Sequence, residues 1–355
     1  MRDINVIRRK NSWRCGACAF LSVAILLMGC SPTVRPGGAS LVGDTVRNSI
    51  GMVYRRIPAG KAWIGSPQSE LLRADYCRFN LGWGGTPDRW EKRRQIFLGG
   101  AIYLGEREVT NGQYKLFDPS HVSKMVPQKD WPGGVGYNLS RAVVDKVPMA
   151  KVTGYEYPVN CITRDDANAF CMWLSNREAE KAAGRLYRLP TEEEWEYACR
   201  GGSGATYFWG NDPNCACAYA NLADKSGDGL WISDYPVSCN DGFLGPSPVG
   251  MFKPNQFGLR DMLGNVWEIC LGGVTMTNGE DGYNSDGVTG GPSVPVRGGS
   301  WGADCSEARC AARMPVSVAT RSPFVGFRVV LIQAAPPPGN GPKSGENRGQ
   351  IRNRE

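Results

Sequence analysis

Three stretches of the chain carry a helix-initiation signal followed by apolar residues at helical spacing. Each begins with a threonine and, three positions later, a side chain that completes a capping box: Thr110 with Gln113, Thr163 with Asp166, and Thr191 with Glu194. In such a box the threonine side chain and the third helical residue each bind the other's backbone N–H. The pattern therefore predicts three helices that start at these points, and Val109 and Tyr114 can form a hydrophobic staple across the first start.

The apolar residues after the second and third boxes fall on one helical face. The stripe of the second helix consists of Ala167, Phe170, Cys171 and Leu174. The stripe of the third helix consists of Trp195, Ala198 and Cys199. Intervals of three and four residues are typical of a helix that packs on a core. Gly184 is predicted to end the second helix, because glycine readily takes the left-handed conformation at a helix end.

The remaining apolar residues occur in short runs separated by glycine and polar residues. These runs predict strands within residues 52–64, 96–104, 295–301 and 325–332. The chain of 355 residues contains 46 Gly, 24 Pro and 11 Trp, which indicates a loop-rich body with many turns. No repeat occurs at a fixed period, so solenoid and propeller architectures are excluded.

The formal net charge of +7 is concentrated at the two ends of the chain. Residues 1–29 carry five basic groups and one acidic group, and residues 334–355 carry four and two. The body between them is left with 7 − 4 − 2 = +1. A charge this small gives no basic face for nucleic acid, so we expect no nucleic-acid partner.

The N-terminus has the organisation of an export signal. Arg8, Arg9, Lys10 and Arg14 precede an apolar run over residues 17–28, and Leu27-Met28-Gly29-Cys30 fits a lipoprotein cleavage box. We predict that Cys30 is lipidated and that residues 1–29 are removed as a signal peptide. The alternative is a single membrane anchor, but the run is shorter than the about 20 residues of a membrane span. Export through a twin-arginine route stays open.

Cysteine usage agrees with an oxidising compartment. Ten cysteines remain after the signal and the lipidated residue are set aside: Cys77, Cys161, Cys171, Cys199, Cys215, Cys217, Cys239, Cys270, Cys305 and Cys310. An even set in an exported protein favours disulfides over a metal site. No C-x-x-C pair is present, which further disfavours zinc.

Nine sequence motifs, in order, resemble those of the formylglycine-generating-enzyme (sulfatase-modifying factor) family. They are IPAGKAWIGS, EVTNGQYKLF, RLPTEEEWEYACRGG, FWGN, NDGF, FGLRDMLGNVWE, VRGGSW, RCAAR and GFR. The resemblance implies an α+β domain with a C-type-lectin-like fold and little regular structure. The chain is therefore divided into a signal peptide (1–29), a lipidated cysteine with a flexible tether (30–49), the family domain (50–333) and a disordered tail (334–355).

Calcium is the first cofactor that the resemblance implies, because members of the family bind two calcium ions. The first site would use the Asp261 and Glu268 side chains with the Gly264 and Val266 carbonyls. The second would use the Asn221 and Asp241 side chains with the Leu222 and Phe243 carbonyls. All of these donors are oxygens, as calcium requires. The alternative is that the Asp and Asn side chains only cap turns.

Copper is the second cofactor, since catalytic members oxidise a substrate cysteine with copper(I) held by two cysteine thiolates four residues apart. Soft thiolates suit copper(I). The RCAAR motif places Cys310 at the family's structural cysteine, with Cys199 as its disulfide partner, and Cys305 at the second copper position. The first position falls within residues 301–304, which are three residues short and contain no thiol. The resemblance thus predicts an incomplete copper site.

The rest of the implied catalytic pocket is only partly retained. Ser300 and Trp267 match pocket residues, and Cys305 would be catalytic only if the protein is an enzyme. Cys270 is the one thiol that could approach Cys305, either as a disulfide, which we favour, or as a rebuilt copper pair. Val329 replaces a further structural cysteine of the family and leaves Cys171 without a partner.

Other chemistries are disfavoured by what the chain lacks. Sulfoxide synthases that share this domain use three histidines, whereas His121 is the single histidine here. It lies in a polar loop far from the motifs, so a catalytic role for it is disfavoured. Asp224 to Gly229 resembles half of an EF-hand loop, but Tyr235 stands where the bidentate glutamate should be, and this motif is discounted.

Two functions remain. The favoured one is an exported, membrane-anchored lipoprotein, periplasmic or at the cell surface, that binds an unidentified protein or surface ligand without catalysis. A sulfatase is one candidate partner. The alternative is a copper-dependent oxidase that converts a sulfatase cysteine to formylglycine.

Overall fold

The domain consists of short strands and short helices that are joined by long loops. The computed structural model describes residues 45–70, 91–124, 146–148, 150–227, 237–272, 274–275 and 292–333, which belong to one unit of the chain. The predicted signal peptide, Cys30, most of the tether and the tail lie outside these ranges. Within them, mixed helices and sheets with much irregular backbone confirm the predicted α+β, loop-rich class.

The described strands fall into three sheets. They are β1 (Thr45–Arg47), β2 (Val53–Ile57), β3 (Gly60–Ile64), β4 (Arg94–Leu98), β5 (Ile102–Gly105), β6 (Arg185–Arg188), β7 (Trp267–Ile269), β8 (Val274–Thr275), β9 (Pro292–Arg297), β10 (Arg313–Ser317), β11 (Val325–Gly326) and β12 (Val330–Gln333). The first sheet has the order β1-β2-β5-β12-β6, the second has the order β10-β9-β7-β11 with β8 on β9, and β3 and β4 form a separate ribbon.

The first sheet brings the two ends of the described chain together. Strand β12 pairs antiparallel with both β5 and β6, so Val330 lies between Leu104 and Arg188. Val330, Leu331 and Leu104 are fully buried, which shows that both faces of the central strands are covered. The sheet therefore fixes the segment just after residue 328 against the start of the domain.

The second sheet aligns the segments that carry the later motifs. Strands β11 and β7 are parallel, with Val325 opposite Trp267 and Gly326 opposite Glu268. Strand β9 pairs antiparallel with β7 on the other side. The GNVWE, VRGGSW and GFR motifs thus meet at one place although they are up to sixty residues apart in sequence.

All three predicted capping boxes are present. The described helices are α1 (Asn111–Lys115), α2 (Ala150–Thr153), α3 (Arg164–Asn176), α4 (Glu178–Ala182) and α5 (Glu192–Arg200), with 3-10 turns at Pro213–Ala218 and Lys225–Gly227. Thr110, Thr163 and Thr191 each form both bonds of the box. The predicted end of the second helix was wrong: Arg177 takes an extended conformation, so α3 stops there and α4 follows as a separate helix.

Two of the predicted strand runs are interrupted. Residues 52–64 form β2 and β3 with Pro58 and Ala59 between them, and proline cannot donate a ladder hydrogen bond. Residues 96–104 hold the end of β4 and most of β5, with Gly99 and Gly100 at the break. Apolar content therefore marked the strands, but the turn residues within each run decided where they end.

Helix α5 packs at the centre of the domain. Trp195, Ala198 and Cys199 are completely buried, as their spacing predicted. The polar face is buried too, because Glu196 pairs with Arg200 at 2.8 Å and with Arg297 of β9. The guanidinium of Arg297 also donates to the Ala311 and Ala312 carbonyls, each at 2.9 Å. These bonds tie α5 to the RCAAR segment.

None of the helices in the described ranges has the length and apolar character needed to cross a membrane.

Candidate functional site

Two glycine turns, one just before β7 and one just after β9, bring the motif residues to one region. Gly298 and Gly299 have φ values of 99° and 80°, and a Cβ on Gly298 would lie 2.9 Å from the Met262 carbonyl oxygen. Gly264 has a φ of 80°, and a Cβ there would lie 2.2 Å from the Asn221 carbonyl oxygen. Only glycine fits at such positions. The GN and GGS motifs are therefore required by close backbone packing.

Ser300 and Trp267 form buried walls of this region. Both are fully buried, and the Trp267 N–H donates to the Phe324 carbonyl at 2.7 Å. The neighbouring Trp301 ring lies 4.5 Å from that of Phe324, and its buried indole nitrogen has no hydrogen-bond partner. Both residues that the resemblance implied for the pocket are thus buried inside the core.

Cys305 lies at the edge of this region and is partly exposed. Burial and then the Asp304 carboxylate raise its pKa to about 12, although the Tyr207 hydroxyl acts in the opposite direction. The same hydroxyl donates to the Cys305 carbonyl at 3.0 Å. A metal-binding or nucleophilic cysteine needs a lowered pKa. This environment favours the protonated thiol.

The predicted Cys199–Cys310 disulfide is not formed in the structure. The two sulfurs face each other at 3.7 Å as a hydrogen-bonded thiol pair, and both cysteines are free and completely buried. A disulfide requires about 2.05 Å. The predicted bond is wrong, but the resemblance did identify two cysteines that are neighbours in the fold. Burial and the Cys310 thiol raise the pKa of Cys199 well above its ordinary value.

The favoured Cys270–Cys305 disulfide is also absent, since both residues are free. Cys270 is fully buried after β7, where its thiol donates to the Glu268 carbonyl at 3.7 Å. Burial and then Glu192 raise its pKa well above the ordinary value. No bond joins Cys305 to a second sulfur in the described part of the chain, so a rebuilt thiol pair is not found there either.

One disulfide does join two described cysteines. Cys217 and Cys239 are bonded, with their Cα atoms 6.1 Å apart and a sequence separation of 22. Cys215 is disulfide-bonded as well. The loop closed by the Cys217–Cys239 bond contains Asn221 and Leu222 of the predicted second calcium site, whereas Asp241 and Phe243 follow just after it. Disulfide use as such is confirmed, but not the predicted pairs.

Glu268 has a different partner from the predicted calcium ion. Its two oxygens accept from Arg328 at 2.5 and 2.6 Å, and the Trp195 indole donates to it at 2.7 Å. Both Glu268 and Arg328 are completely buried. A bidentate arginine pair of this kind satisfies the carboxylate without a metal. The parallel pairing of β7 with β11 explains it, because it brings the GFR arginine beside the GNVWE glutamate.

Asp261 faces a carboxylate that the sequence reasoning did not assign. Asp261 and Glu108 are buried and electrostatically coupled, and burial is the largest cause of the raised pKa of each. One oxygen of Glu108 accepts from the Asn265 side-chain amide at 3.0 Å. Glu108 Oε2 and Asp261 Oδ1 are buried without a hydrogen-bond partner. Orphaned carboxylate oxygens in a core are costly unless a proton or cation binds them.

The backbone around Asp261 is also strained. Asp261 and Asn265 have φ values of 53° and 58°, in the left-handed region that non-glycine residues seldom occupy. The loop between them carries the predicted Gly264 carbonyl ligand. Strain of this kind persists only where the surroundings hold it. The surroundings therefore hold this loop in a conformation that its non-glycine residues seldom adopt.

The second predicted calcium site contains an additional acid. Asp241 accepts from the Leu222 and Phe243 N–H groups at 3.1 and 2.8 Å, so it caps the two residues whose carbonyls were the predicted ligands. Asp224 lies beside it and accepts from the Asp241 N–H. Burial and then the Asp224 carboxylate raise the pKa of Asp241 to about 7. Asn221 Oδ1 is buried and unpartnered.

These carboxylates fit an oxygen-binding cation better than a soft metal. No three His, Cys, Asp or Glu side chains in the described ranges are grouped as a metal centre. The fit therefore depends on mixed donors, namely Asp and Glu oxygens with amide and carbonyl oxygens, which is the set that calcium accepts. Three unpartnered oxygens on Glu108, Asp261 and Asn221 are the observation that supports it.

His121 has a structural role. Its Nε2 lies 3.0 Å from the Asn160 carbonyl oxygen, and its ring packs 4.9 Å from that of Tyr114. Burial is the main cause of its lowered pKa. Its hydrogen bond and ring contact are thus with Asn160 and Tyr114, and the absence of a catalytic role stays a prediction.

Residues 52–332 match the family described as "Sulfatase-modifying factor enzyme 1-like domain". This chain belongs to that family. The match spans the predicted domain and confirms the resemblance. Family membership accounts for the turns and the buried motifs, but not for the state of the thiols.

Both active and inactive proteins are among the relatives. The "Formylglycine-generating enzyme" of Streptomyces coelicolor is 33% identical over 330 residues, which cover 82% of this chain and 93% of that protein. The mouse "Inactive C-alpha-formylglycine-generating enzyme 2" is 33% identical over 229 residues, covering 61% and 59%. The chain spans 43% of the length of the mouse and bovine formylglycine-generating enzymes that it also matches.

The fold is shared with a solved structure of the same kind. PvdO from Pseudomonas aeruginosa superposes with a TM-score of 0.56 at 23% identity, covering 81% of this chain and 98% of that chain. At this identity the likeness concerns the fold alone.

Two acidic residues of this family domain were missed by sequence reasoning. Glu108 is the first residue of the EVTNGQYKLF motif, which was noted only for its helix start. Asp224 belongs to the discounted EF-hand-like stretch. Neither has a signal along the chain, because each meets its acidic neighbour only through folding, Glu108 with Asp261 and Asp224 with Asp241.

Proposed function

We propose that the protein is an exported, lipid-anchored member of the family that binds a partner through its domain without oxidising it. The observation that carries the proposal is the state of the thiols. Cys310 is occupied by Cys199, Cys270 is enclosed in the core, and Cys305 has no sulfur partner in the described ranges. Copper(I) in a two-thiolate site needs both sulfurs.

The electrostatics of Cys305 support the same function. A pKa of about 12 leaves almost no thiolate at neutral pH, and the nearby Asp304 carboxylate opposes ionisation further. Copper-binding and nucleophilic thiols have the opposite surroundings, with cations or helix N-termini nearby. The existence of an inactive mouse relative at 33% identity shows that family members can lack the activity.

The alternative function is a formylglycine-generating oxidase with Cys305 as its catalytic residue. It is favoured by the match to nearly the whole Streptomyces coelicolor enzyme and by the retention of Ser300 and Trp267. In that function Ser300 and Trp267 would shape the pocket, and copper would supply the oxidation of the substrate thiol.

A conversion assay separates the two functions. The full chain is incubated with copper(I), oxygen and a sulfatase-type cysteine peptide, and the peptide mass is followed over time. We expect no conversion, whereas the Streptomyces coelicolor enzyme serves as the positive control. Conversion that is lost in Cys305→Ser would overturn the proposal and establish the oxidase.

The predicted lipid anchor supports the first part of the proposal. The box Leu27-Met28-Gly29-Cys30 follows a basic and then an apolar segment, as in lipoprotein signals. We expect Cys30→Ser to release the protein from the membrane fraction. If the variant still pellets and resists alkaline washing, the apolar segment is a true anchor and lipidation is wrong.

Calcium is proposed as a structural cofactor. The first ion would be held by Asp261, by the Gly264 and Val266 carbonyls and by Glu108, with Glu268 held in place by Arg328. The second would be held by Asn221 and Asp241 with the Leu222 and Phe243 carbonyls. Bound calcium would neutralise the buried carboxylates and hold the loops together, which is a role in stability and not in oxidation.

A further inference from the structure

The outward face of the β3–β4 ribbon exposes two large aromatic side chains. Lys61 pairs across the strands with Phe97, and Trp63 pairs with Gln95, so these four side chains share one face, called here the ribbon face. Trp63 is 54% exposed and Phe97 is 67% exposed. The opposite face, with Ala62, Ile96 and Leu98, packs on the core. The aromatics of the ribbon face are therefore not needed for that packing.

The ribbon face is also basic. Lys61 lies on it, and Arg93, two residues before Gln95, lies on the same side; both are exposed and form no ion pair with a described residue. The Arg93 guanidinium lies 5.1 Å from the centre of the Trp63 ring. Since the chain between its two basic ends carries a net charge of only +1, this is a local concentration of positive charge.

A cleft opens beside the ribbon face. Its volume is about 310 Å³, and its lining includes Lys61, Trp63, Arg93 and Ser203. It therefore offers cations, an aromatic edge and a hydroxyl in one concave place. A phosphate-bearing headgroup is of the right chemistry for this lining, because Lys and Arg bind phosphate oxygens directly.

We propose that the ribbon face docks on the surface of an anionic phospholipid bilayer. Trp and Phe partition into the interfacial layer of a membrane, and Lys and Arg bind the headgroup phosphates above them. The positive charge of the ribbon face is complementary to the negative charge of such a bilayer, and this is why a bilayer is proposed as its partner. The proposal rests on the membrane attachment proposed above and adds which face of the domain is turned to the membrane.

The length of the predicted tether agrees with this placement. Fourteen residues lie between Cys30 and Thr45 at the start of β1. A flexible chain of that length has a mean reach of roughly 20 Å. An anchored domain would thus be kept at the membrane surface, where a weak face-specific contact is formed repeatedly at high local concentration.

The expected contribution of the cations is measurable. A basic residue near an anionic bilayer contributes about 1 kcal/mol, or about fivefold in partitioning. Replacing Lys61 and Arg93 by glutamine should therefore weaken binding to anionic vesicles on the order of 25-fold. Added salt should also weaken binding to the vesicles, because it screens these charges.

The test places the full chain on vesicles of phosphatidylcholine alone and of phosphatidylcholine with phosphatidylglycerol, some carrying brominated acyl chains that quench tryptophan emission. We expect stronger quenching with phosphatidylglycerol, and the extra quenching should disappear in Trp63→Phe. The double variant Lys61→Gln/Arg93→Gln should lose it too and should keep the circular dichroism of the wild type. Inorganic phosphate alone should not release the protein.

The matched control is a second aromatic–cation pair on the surface. Lys115 Nζ lies 5.4 Å from the ring of Tyr155, which is 68% exposed. The double variant Lys115→Gln/Tyr155→Ala should bind vesicles like the wild type. Equal quenching with both lipids, or quenching that persists in Trp63→Phe, would overturn the proposal, as would release by phosphate alone or by a soluble acidic polysaccharide at equal charge.

Failure of the anchor and failure of the ribbon face give different results. If Cys30→Ser stays in the membrane fraction after alkaline washing, lipidation is wrong, but the Trp63-dependent quenching with phosphatidylglycerol persists. If the ribbon face is not the docking surface, the chain remains anchored and Trp63 is not quenched. The two proposals can therefore be judged separately.

Discussion

The thiols and the carboxylates of this domain differ in how completely the fold satisfies them. The thiols are satisfied: Cys199 bonds Cys310 and Cys270 bonds a carbonyl, while Cys305 is kept protonated. The carboxylates around Asp261 and Asp241 are not, since oxygens of Asp261 and Glu108 are buried without partners and Asp241 lies beside Asp224.

The difference separates the two kinds of chemistry that the family combines. In the function proposed above, the protein has lost the groups that hold a soft metal and retains groups that suit a hard one. The oxidation and the structural cation would then be independent in this fold, and a member that binds a partner without oxidising it would need only the cation. Four predictions test this contrast.

Breaking the buried Glu268–Arg328 pair should have the largest effect on stability. Glu268→Ala leaves the Arg328 guanidinium buried without its partner, which typically costs 3–5 kcal/mol. Urea unfolding followed by tryptophan emission measures this loss. The exposed pair of Arg94 and Glu193 provides the control, because Glu193→Ala should change stability by no more than about 1 kcal/mol. Similar values for both variants would contradict the assignment of Glu268 to Arg328.

The raised pKa of Cys305 should make it slow to alkylate. A pKa of about 12 in place of the ordinary 9.0 lowers the thiolate fraction at pH 8 about 1,000-fold. We expect iodoacetamide to modify Cys305 that much more slowly in the folded than in the unfolded chain, with the rate rising up to about pH 12. Peptide mass spectrometry identifies the site. Rapid labelling at neutral pH would show a reactive thiol and favour the oxidase.

Removing the Cys217–Cys239 bond should loosen the loop that contains Asp224 and ends two residues before Asp241. The chain-entropy model gives about 3 kcal/mol for a closure of 22 residues. The double variant Cys217→Ser/Cys239→Ser should unfold at correspondingly lower urea concentration, and its calcium response at Asp241 should weaken. An unchanged midpoint would mean that this bond does not constrain the segment.

Calcium should stabilise the wild type by a smaller amount that depends on concentration. Free calcium at 100 times its dissociation constant contributes about 2.7 kcal/mol, and a chelator removes this gain. Asp261→Asn and Glu108→Gln should each reduce the response. Asp165→Asn, on the exposed first turn of α3, is the control and should keep it. If Asp261→Asn and Glu108→Gln respond to the chelator as the wild type does, the first site binds no ion.

Local signals determined much of this fold. The three capping boxes and their apolar stripes gave the right helix starts, because a capping box involves only four consecutive residues. The motif glycines Gly264 and Gly298 are required for a different reason, since each combines a positive φ with a Cβ position that a carbonyl oxygen already occupies. The family followed from motif order alone, and with it the neighbours Cys199 and Cys310.

Only the tertiary structure decided how the buried charges and thiols are paired. Glu268 meets Arg328 because β7 and β11 are parallel, and Glu108 meets Asp261 across more than 150 residues. Whether two neighbouring cysteines form a disulfide depends on the distance between their sulfurs. Whether a carboxylate binds a cation or a guanidinium depends on which group the fold places within its reach. Such pairings have no signature along the chain, because electrostatic interactions act through space and not through sequence.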